Sequence, residues 1–395
     1  MKEHVFVGFG FGPIQSGLFA SEAFKSGNFK RIVIAEIDQS LIDAVEASGG
    51  SYHVNVAGQN GIIAEKIDGI EMLNPTVDEQ REQIIDAISE ATEIVTSLPS
   101  VNFYDSPKGV ASTIAAGIKK STSPGTIIYT AENNNHAAEI LTEAVKKYID
   151  IDPKHTQFLN TVIGKMSQVT NDPQLIEAKG LKTIAEGYGR AFLVEEFNRI
   201  LVTKTNLPSL KPGIEVFAEK SDLLPFEEAK LYGHNAIHAL LAYLGLEKGY
   251  RTMDQLADDK ELMDIARKAF IDESGQALIK KYADLGDELF TEAGYKDYAE
   301  DLLKRMTNPY LADAVDRAAR DPQRKLGFTD RLFGTMHLAL KHGIEPVNMA
   351  KGAKAGVKVL LEENEPSAQA VQKALKELWD GDIDQYADRM IQMVA

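Results

Sequence analysis

The chain has 395 residues, 44% hydrophobic and 26% charged, with a formal net charge of −16. That length accommodates two domains with sizeable cores, and the acidic balance excludes a nucleic-acid binder built on a basic stripe. Cysteine is absent, which excludes disulfides, zinc–thiolate sites and cysteine nucleophiles and fits a reducing, cytoplasmic setting.

No apolar run reaches membrane-spanning length, so no membrane partner is expected. Residues 5–20 are apolar enough to be taken for the core of a signal peptide. Glu3 stands where a leader would be positive, however, and glycine, proline and glutamine interrupt the run. The stretch reads as strand, turn and helix. Val5–Val7 forms a short buried strand, and Gly8, Phe9, Gly10, Phe11 and Gly12 form the turn. Pro13 has its φ set for a first helical turn that continues through Leu18, Phe19, Ala23 and Phe24.

Glycines between a strand and a helix N-terminus let a pyrophosphate approach the backbone. The next strand, Arg31–Ala35, ends on Glu36, placed to hold a ribose 2′-hydroxyl and to repel a 2′-phosphate. This favours NAD over NADP. The fingerprint departs from strict GxGxxG, with proline at 13 and Gly17 late. A methyl-donor site and a bare tight turn therefore stay open beside the dinucleotide.

Ile94–Thr96 and Thr126–Thr130 read as further parallel strands with helical patterns between them. The second ends in Ala131-Glu132-Asn133 before a helix over 137–148; Asn133 either caps that helix or turns its carboxamide to a substrate. Strands are expected at 158–163, 197–202 and 214–217, as an antiparallel addition to the same domain. The expected organisation is a dinucleotide-binding domain over 1–220 and a helical substrate domain over 221–395. Helix stops fall at Gly245, Gly249, Pro309, Gly327 and Gly343.

The helical half opens with Lys230-Leu-Tyr-Gly-His-Asn-Ala-Ile-His238. At about 100° per residue, Asn235 lies about 140° and His238 about 80° around a helix from Lys230. An amine, a carboxamide and an imidazole thus share a broad face, opposite Ile237, Leu240, Tyr243 and Leu244. Such a set suits handling of a hydroxyl proton, although a helical lysine is more often simply solvated. Burial and a nearby positive nicotinamide ring would bring the lysine down from its ordinary pKa of about 10.4 toward a working range. His234 and His238, with Glu227, have spacing that suits zinc, although Asn235 would have no purpose in such a site. Arg317, Arg320, Arg324, Lys325 and Arg331 suit phosphate recognition. Asp313, Asp316, Asp321 and Asp330 are interleaved with them, so internal salt bridging is an equal reading.

Taken together, the glycine turn, Ala131-Glu-Asn133, Lys230-x4-Asn235-x2-His238 and Asn308-Pro-Tyr-Leu311 resemble the polyol-specific long-chain dehydrogenases, the mannitol dehydrogenase family. Glu273-Ser-Gly-Gln-Ala277 adds to the likeness, which spans almost the whole chain. The resemblance implies a Rossmann-type α/β N-terminal domain with added antiparallel strands, then a mostly α-helical C-terminal domain. It implies a monomer with metal-independent, NAD-linked exchange of a secondary alcohol and a ketone. The substrate would be a polyol or polyol phosphate, foremost mannitol 1-phosphate and fructose 6-phosphate, or else an unphosphorylated polyol or hexonate. Lys230 matches the general acid/base, Asn133 and Asn235 the pair that steadies the reacting oxygen, and His238 an orienting residue. Arg317 matches an arginine near the polyol chain. Ile163-Gly-Lys-Met166 departs from the family's Val-Asp-Arg-Ile: an acid near the substrate is missing, and Lys165, in place of an arginine, would share the substrate contact of Arg317. Two other classes compete, a non-catalytic NAD-binding regulator and a methyltransferase.

Overall fold

The computed structural model describes residues 3–106, 108–208, 210–381 and 383–395. It divides into two compact units, Met1–Leu224 and Pro225–Ala395.

In the first unit, β1 (His4–Phe9) pairs in parallel with β2 (Phe29–Ala35) on one side and β6 (Glu93–Thr96) on the other. Beyond β2 lies β5 (Ile70–Leu73); beyond β6 lie β7 (Thr126–Thr130) and β8 (Thr156–Val162), all parallel. The sheet order therefore reverses at β1, which makes the crevice past the carboxyl ends of β1 and β6 the topological switch point. Both faces are covered. Val5, Val7 and Phe9 enter one core with Ile88, Ile114 and Leu141, while Phe6, Ile32 and Ile34 enter the other with Leu18, Phe19 and Leu41. Burial on both faces explains why β1 and β2 read as near-continuous apolar runs.

Added strands are present in two places, each with one parallel pairing and the rest antiparallel. At one edge β8 pairs antiparallel with β11 (Leu201–Thr203), followed by β12 (Ala218–Lys220). A four-stranded sheet joins β3 (Tyr52–Ala57), β4 (Ile62–Ile67), β9 (Ser167–Thr170) and β10 (Ala191–Glu195).

Two expected strands are corrected. Residues 197–200 are not a strand, because the carbonyls of Glu195 and Phe197 are taken by the ammonium of Lys165 rather than by a neighbouring strand. Residues 214–217 are a core-filling loop: the N–H of Gly213 donates to Glu93, its carbonyl accepts from Asn28, and Phe217 packs edge-on against Phe19 and Tyr129.

The second unit is helical. Ala236–Glu247 is buried almost all round, as a core helix must be. Val347–Leu361 crosses it so closely that a Cβ on Gly352 would stand 2.6 Å from Leu240 Cγ. The expected stop at Gly245 is also corrected: this glycine is inside the helix, and the left-handed Gly249 follows its end. Trp379 anchors the last helices, donating to the Leu326 carbonyl at 2.8 Å with its ring against Phe333. Among the described residues, no helix is long and apolar enough to cross a membrane.

The fold buries one acid in the first unit at a cost. Glu93 is fully buried at the start of β6, and desolvation raises its carboxyl to about 7 against the ordinary 4.5, despite the Gly213 N–H. The folded state thus holds this proton more tightly than the unfolded one, so stability falls as pH rises through 4.5 toward 7 and stays reduced above it. At about 1.4 kcal/mol per pH unit the penalty at pH 8 is roughly 3 kcal/mol. Glu93→Gln should raise the unfolding free energy at pH 8 and lose that advantage near pH 4, as read by urea denaturation at the two values; an equal effect at both would contradict the assignment.

Candidate active site

At the switch point, the glycines have three different jobs. Gly8 lies in β1, where a Cβ would meet the Gln15 amide at 1.7 Å, so it sets how closely the following helix seats. Gly10 has φ +80°, and a Cβ there would lie 2.8 Å from the Ser97 carbonyl; the turn needs glycine on both counts. A Cβ on Gly12 would meet nothing within 4 Å, which leaves the backbone open to a ligand. Phe9 and Phe11 offer only main chain here: both rings are buried, and Phe11 stacks edge-on against Tyr52 at 4.9 Å. Residues 13–26 are helical from Pro13 onward, although Gln15–Ala20 is wound as a π-helix.

Glu36 ends β2 and is held in place by its own loop, accepting the N–H groups of Ile37 at 2.7 Å and Asp38 at 3.0 Å. Asn133 is exposed just beyond β7. Its neighbour Glu132 is buried and binds the end of β6, accepting from Thr96 Oγ1 at 3.0 Å, Leu98 N at 2.9 Å and the Tyr104 hydroxyl. Burial pushes that carboxyl upward. Lys165 is buried as well, and burial lowers its ammonium to about 8. Its donors go to the carbonyls of Glu195 and Phe197 and to Asn198 Oδ1 at 2.5 Å, so within this unit it ties down the 195–198 loop.

In the second unit the Lys230–His238 stretch is not a regular helix. Ala229–Asn235 is π-helical and passes into the α-helix at Ala236. A π turn closes over five residues instead of four, so Lys230 and Asn235 come nearer to alignment than the angle of about 140° for a regular helix. Lys230 is half-buried, and its ammonium is lowered to about 8, by burial first and then by the Arg331 charge. His234 is buried, and desolvation drives its imidazolium well below the ordinary range, so it is a neutral packing residue. Among the described residues, no group of three or more histidine, aspartate or glutamate side chains is arranged to hold a metal ion.

His238 points Nε2 toward Asp313 Oδ2 at 3.4 Å. The same carboxylate takes Arg317 in a fork, Nε to Oδ1 at 2.6 Å and Nη2 to Oδ2 at 2.5 Å. Burial opposes the charge on Asp313, but the His238 and Arg317 contacts outweigh it and hold the carboxyl at about 2. The segment is strained to do this: Ala312 and Asp321 both have left-handed φ, +46° and +62°. Asp313 is the residue that sequence reasoning undervalued; its spacing of four from Arg317 was the available signal.

A cavity of about 660 Å³ opens on this face, lined by Asn235, His238, Arg317, Arg320, Arg324, Lys325 and Arg331, with Asp321 as an acid. Asp321 pairs with Arg324 at 2.7 Å, and Lys325 is buried with its ammonium on the Ala318 carbonyl and lowered to about 8 by burial and by Arg331. Cations outnumber acids on the wall, and internal salt bridging accounts for Arg317 and Arg324, which pair with Asp313 and Asp321.

Residues 222–392 match the family model described as the mannitol dehydrogenase C-terminal domain. Among solved structures, D-sorbitol dehydrogenase in substrate-free form is similar, with a TM-score of 0.77 and 15% identity over 99% of this chain and 92% of that one. Mannitol 2-dehydrogenase of Pseudomonas fluorescens, in a ternary complex with NAD and D-mannitol, aligns with a TM-score of 0.70 and 17% identity over 100% of this chain and 90% of that one. At such identities the structures speak for the fold, and the domain match speaks for the lineage. Residues 222–392 are thus a mannitol dehydrogenase C-terminal domain.

Proposed function

We propose that this protein is an NAD-dependent oxidoreductase that interconverts a secondary alcohol of an anionic polyol, foremost mannitol 1-phosphate, with the corresponding ketose. One observation carries the reading: an amine brought down to about 8 shares a turn with Asn235, and Asn235 lines a cavity walled by cations. Alcohol oxidation requires a base near neutral pH; the ammoniums of Lys165 and Lys325 are lowered as far but are spent on backbone carbonyls.

The first unit supports NAD through its reversed sheet order, the open backbone at Gly12 and the acid at the end of β2. Glu36 disfavours a 2′-phosphate there. Bound NAD would supply the hydride acceptor. Lys230, in its neutral form, takes the hydroxyl proton from the alcohol; as the ammonium it returns a proton to the ketone. Asn235 donates to the oxygen as it gains charge, and losing such a donor typically costs about 2.7–4 kcal/mol in the barrier. His238, fixed by Asp313, orients the polyol chain together with Arg317. The remaining cations hold the anionic end of the substrate, by the affinity of guanidinium for phosphate. A hexonate carboxylate would suit the same wall. Lys165 has no part in this reading, because its donors serve the 195–198 loop.

NADH absorbance on mixing NAD⁺ with mannitol 1-phosphate, mannitol or mannonate tests the substrate class. Turnover should be greatest with an anionic substrate, and no turnover with any would overturn the proposal. Lys230→Ala should lower kcat at least 10³-fold, on the order expected of a lost acid/base group, while NADH affinity stays close to wild type. Oxidation should speed up with rising pH until about 8 and then level, since the base must lose its proton; ketone reduction should follow the opposite limb. The double substitution Arg320→Ala with Arg324→Ala should raise KM for mannitol 1-phosphate roughly tenfold or more, on the scale of a lost charge-assisted contact. The KM for mannitol itself should barely move; equal losses for both would contradict phosphate binding by these residues.

A further inference from the structure

The π turn that carries Lys230 has to be held open. In a regular helix, the N–H of Ala236 would go to the carbonyl of Tyr232; here it goes to Gly233. The Tyr232 carbonyl thus lacks that donor and is met from outside its own helix. Ser274 Oγ donates to it at 2.8 Å. The Thr335 hydroxyl lies 3.0 Å from the same carbonyl and 2.5 Å from the carbonyl of Arg331, the cation that presses on Lys230.

The surroundings of Ser274 look built for this contact. Ser274 is fully buried and sits in a second π-helical stretch, Ala269–Gly275, in the string Glu273-Ser-Gly-Gln-Ala277. Glu273 fixes that stretch from one side, accepting the N–H groups of Asn348 and Met349 at 2.7 and 2.8 Å where Val347–Leu361 begins. Tyr295 fixes it from the other, with its hydroxyl 3.1 Å from Ser274 Oγ. The two π stretches approach so closely that a Cβ on Gly233 would stand 2.8 Å from both Phe270 Cε2 and the Tyr295 hydroxyl. A buried carbonyl with no partner costs about 1–3 kcal/mol, so without these hydroxyls the turn is driven to recover its α-helical bond. Recovering it would rotate Lys230 relative to Asn235.

We infer that Ser274 and Thr335 are positioning residues for the reaction, two hydroxyls that converge on the Tyr232 carbonyl and keep Lys230 and Asn235 in the π-helical arrangement. This rests on the assignment of Lys230 as the acid/base group. They touch neither substrate nor cofactor in this role; they act through the backbone.

The test uses the full chain with Ser274→Ala, Thr335→Val and Thr335→Ser. For each variant, kcat for polyol oxidation is followed against pH, NADH affinity by fluorescence, and the pH midpoint of Lys230 reductive methylation by peptide mass spectrometry. Ser274→Ala and Thr335→Val should each lower kcat roughly tenfold or more, as for a misplaced catalytic group. Each should also move the midpoint in both pH curves by at least about half a unit, with NADH affinity within about twofold of wild type. Thr335→Ser, which keeps the hydroxyl, should restore the wild-type curves. An unmoved midpoint in both variants, or a Thr335→Ser protein that behaves like Thr335→Val, would overturn the inference. If Ser274→Ala does not fold, Thr335→Val and Thr335→Ser decide alone. Should wild type oxidise no polyol, the proposed function falls, and the methylation midpoints still decide whether the hydroxyls position Lys230.

Discussion

The carbonyl of Tyr232 is the constraint on which the second unit's chemistry depends. Once the helix widens, that oxygen loses its α-helical donor, and a buried acceptor must find another. Ser274 supplies it, and Thr335 shares its one hydroxyl proton between this oxygen and the Arg331 carbonyl. The widened turn then brings an amine and a carboxamide five residues apart toward one side, and half-burial beside Arg331 brings the amine down to where it can exchange a proton near neutral pH. A regular helix at this point would be easier to form, yet it would leave Lys230 and Asn235 further apart around the axis.

Two kinds of buried charge appear in the molecule, and they behave differently. Asp313 is buried but forked by Arg317 and faced by His238, so its carboxylate is favoured and serves as a fixed post for the cavity wall. Glu93 and Glu132 are buried among neutral donors, and desolvation wins in both. Glu132 nonetheless has a clear task. It joins the ends of β6 and β7, and in doing so it fixes the backbone from which Asn133 emerges.

Much of the fold was legible in the sequence because burial leaves a strong mark. The apolar runs at 5–7 and 31–35, the glycine turn and the acid ending the second strand all follow from a doubly covered parallel sheet. Residues 197–200 and 214–217 were misread because their apolar residues are core-filling loops whose backbone partners include side chains, Lys165 and Glu93. Alternation cannot tell the two cases apart. The π turns were invisible for a related reason: nothing in Ala229–Asn235 marks which carbonyl will be released, since the acceptor's new donors lie 42 and 103 residues further along. Asn235, His238 and Arg317, singled out by spacing and resemblance, do line one cavity. Asp313 was not singled out, because an acid four before an arginine looks like any surface pair until its burial is known.

The central claim is that Lys230 collects the proton of the reacting hydroxyl. A crystal structure of the protein with NADH and its ketose, or with NAD⁺ and the polyol, tests it most directly. The account predicts the reacting oxygen about 2.6–3.2 Å from Lys230 Nζ, with the Asn235 amide also on that oxygen and the π turn unchanged. A reacting oxygen out of reach of Lys230, with another titratable side chain on it, would contradict the account.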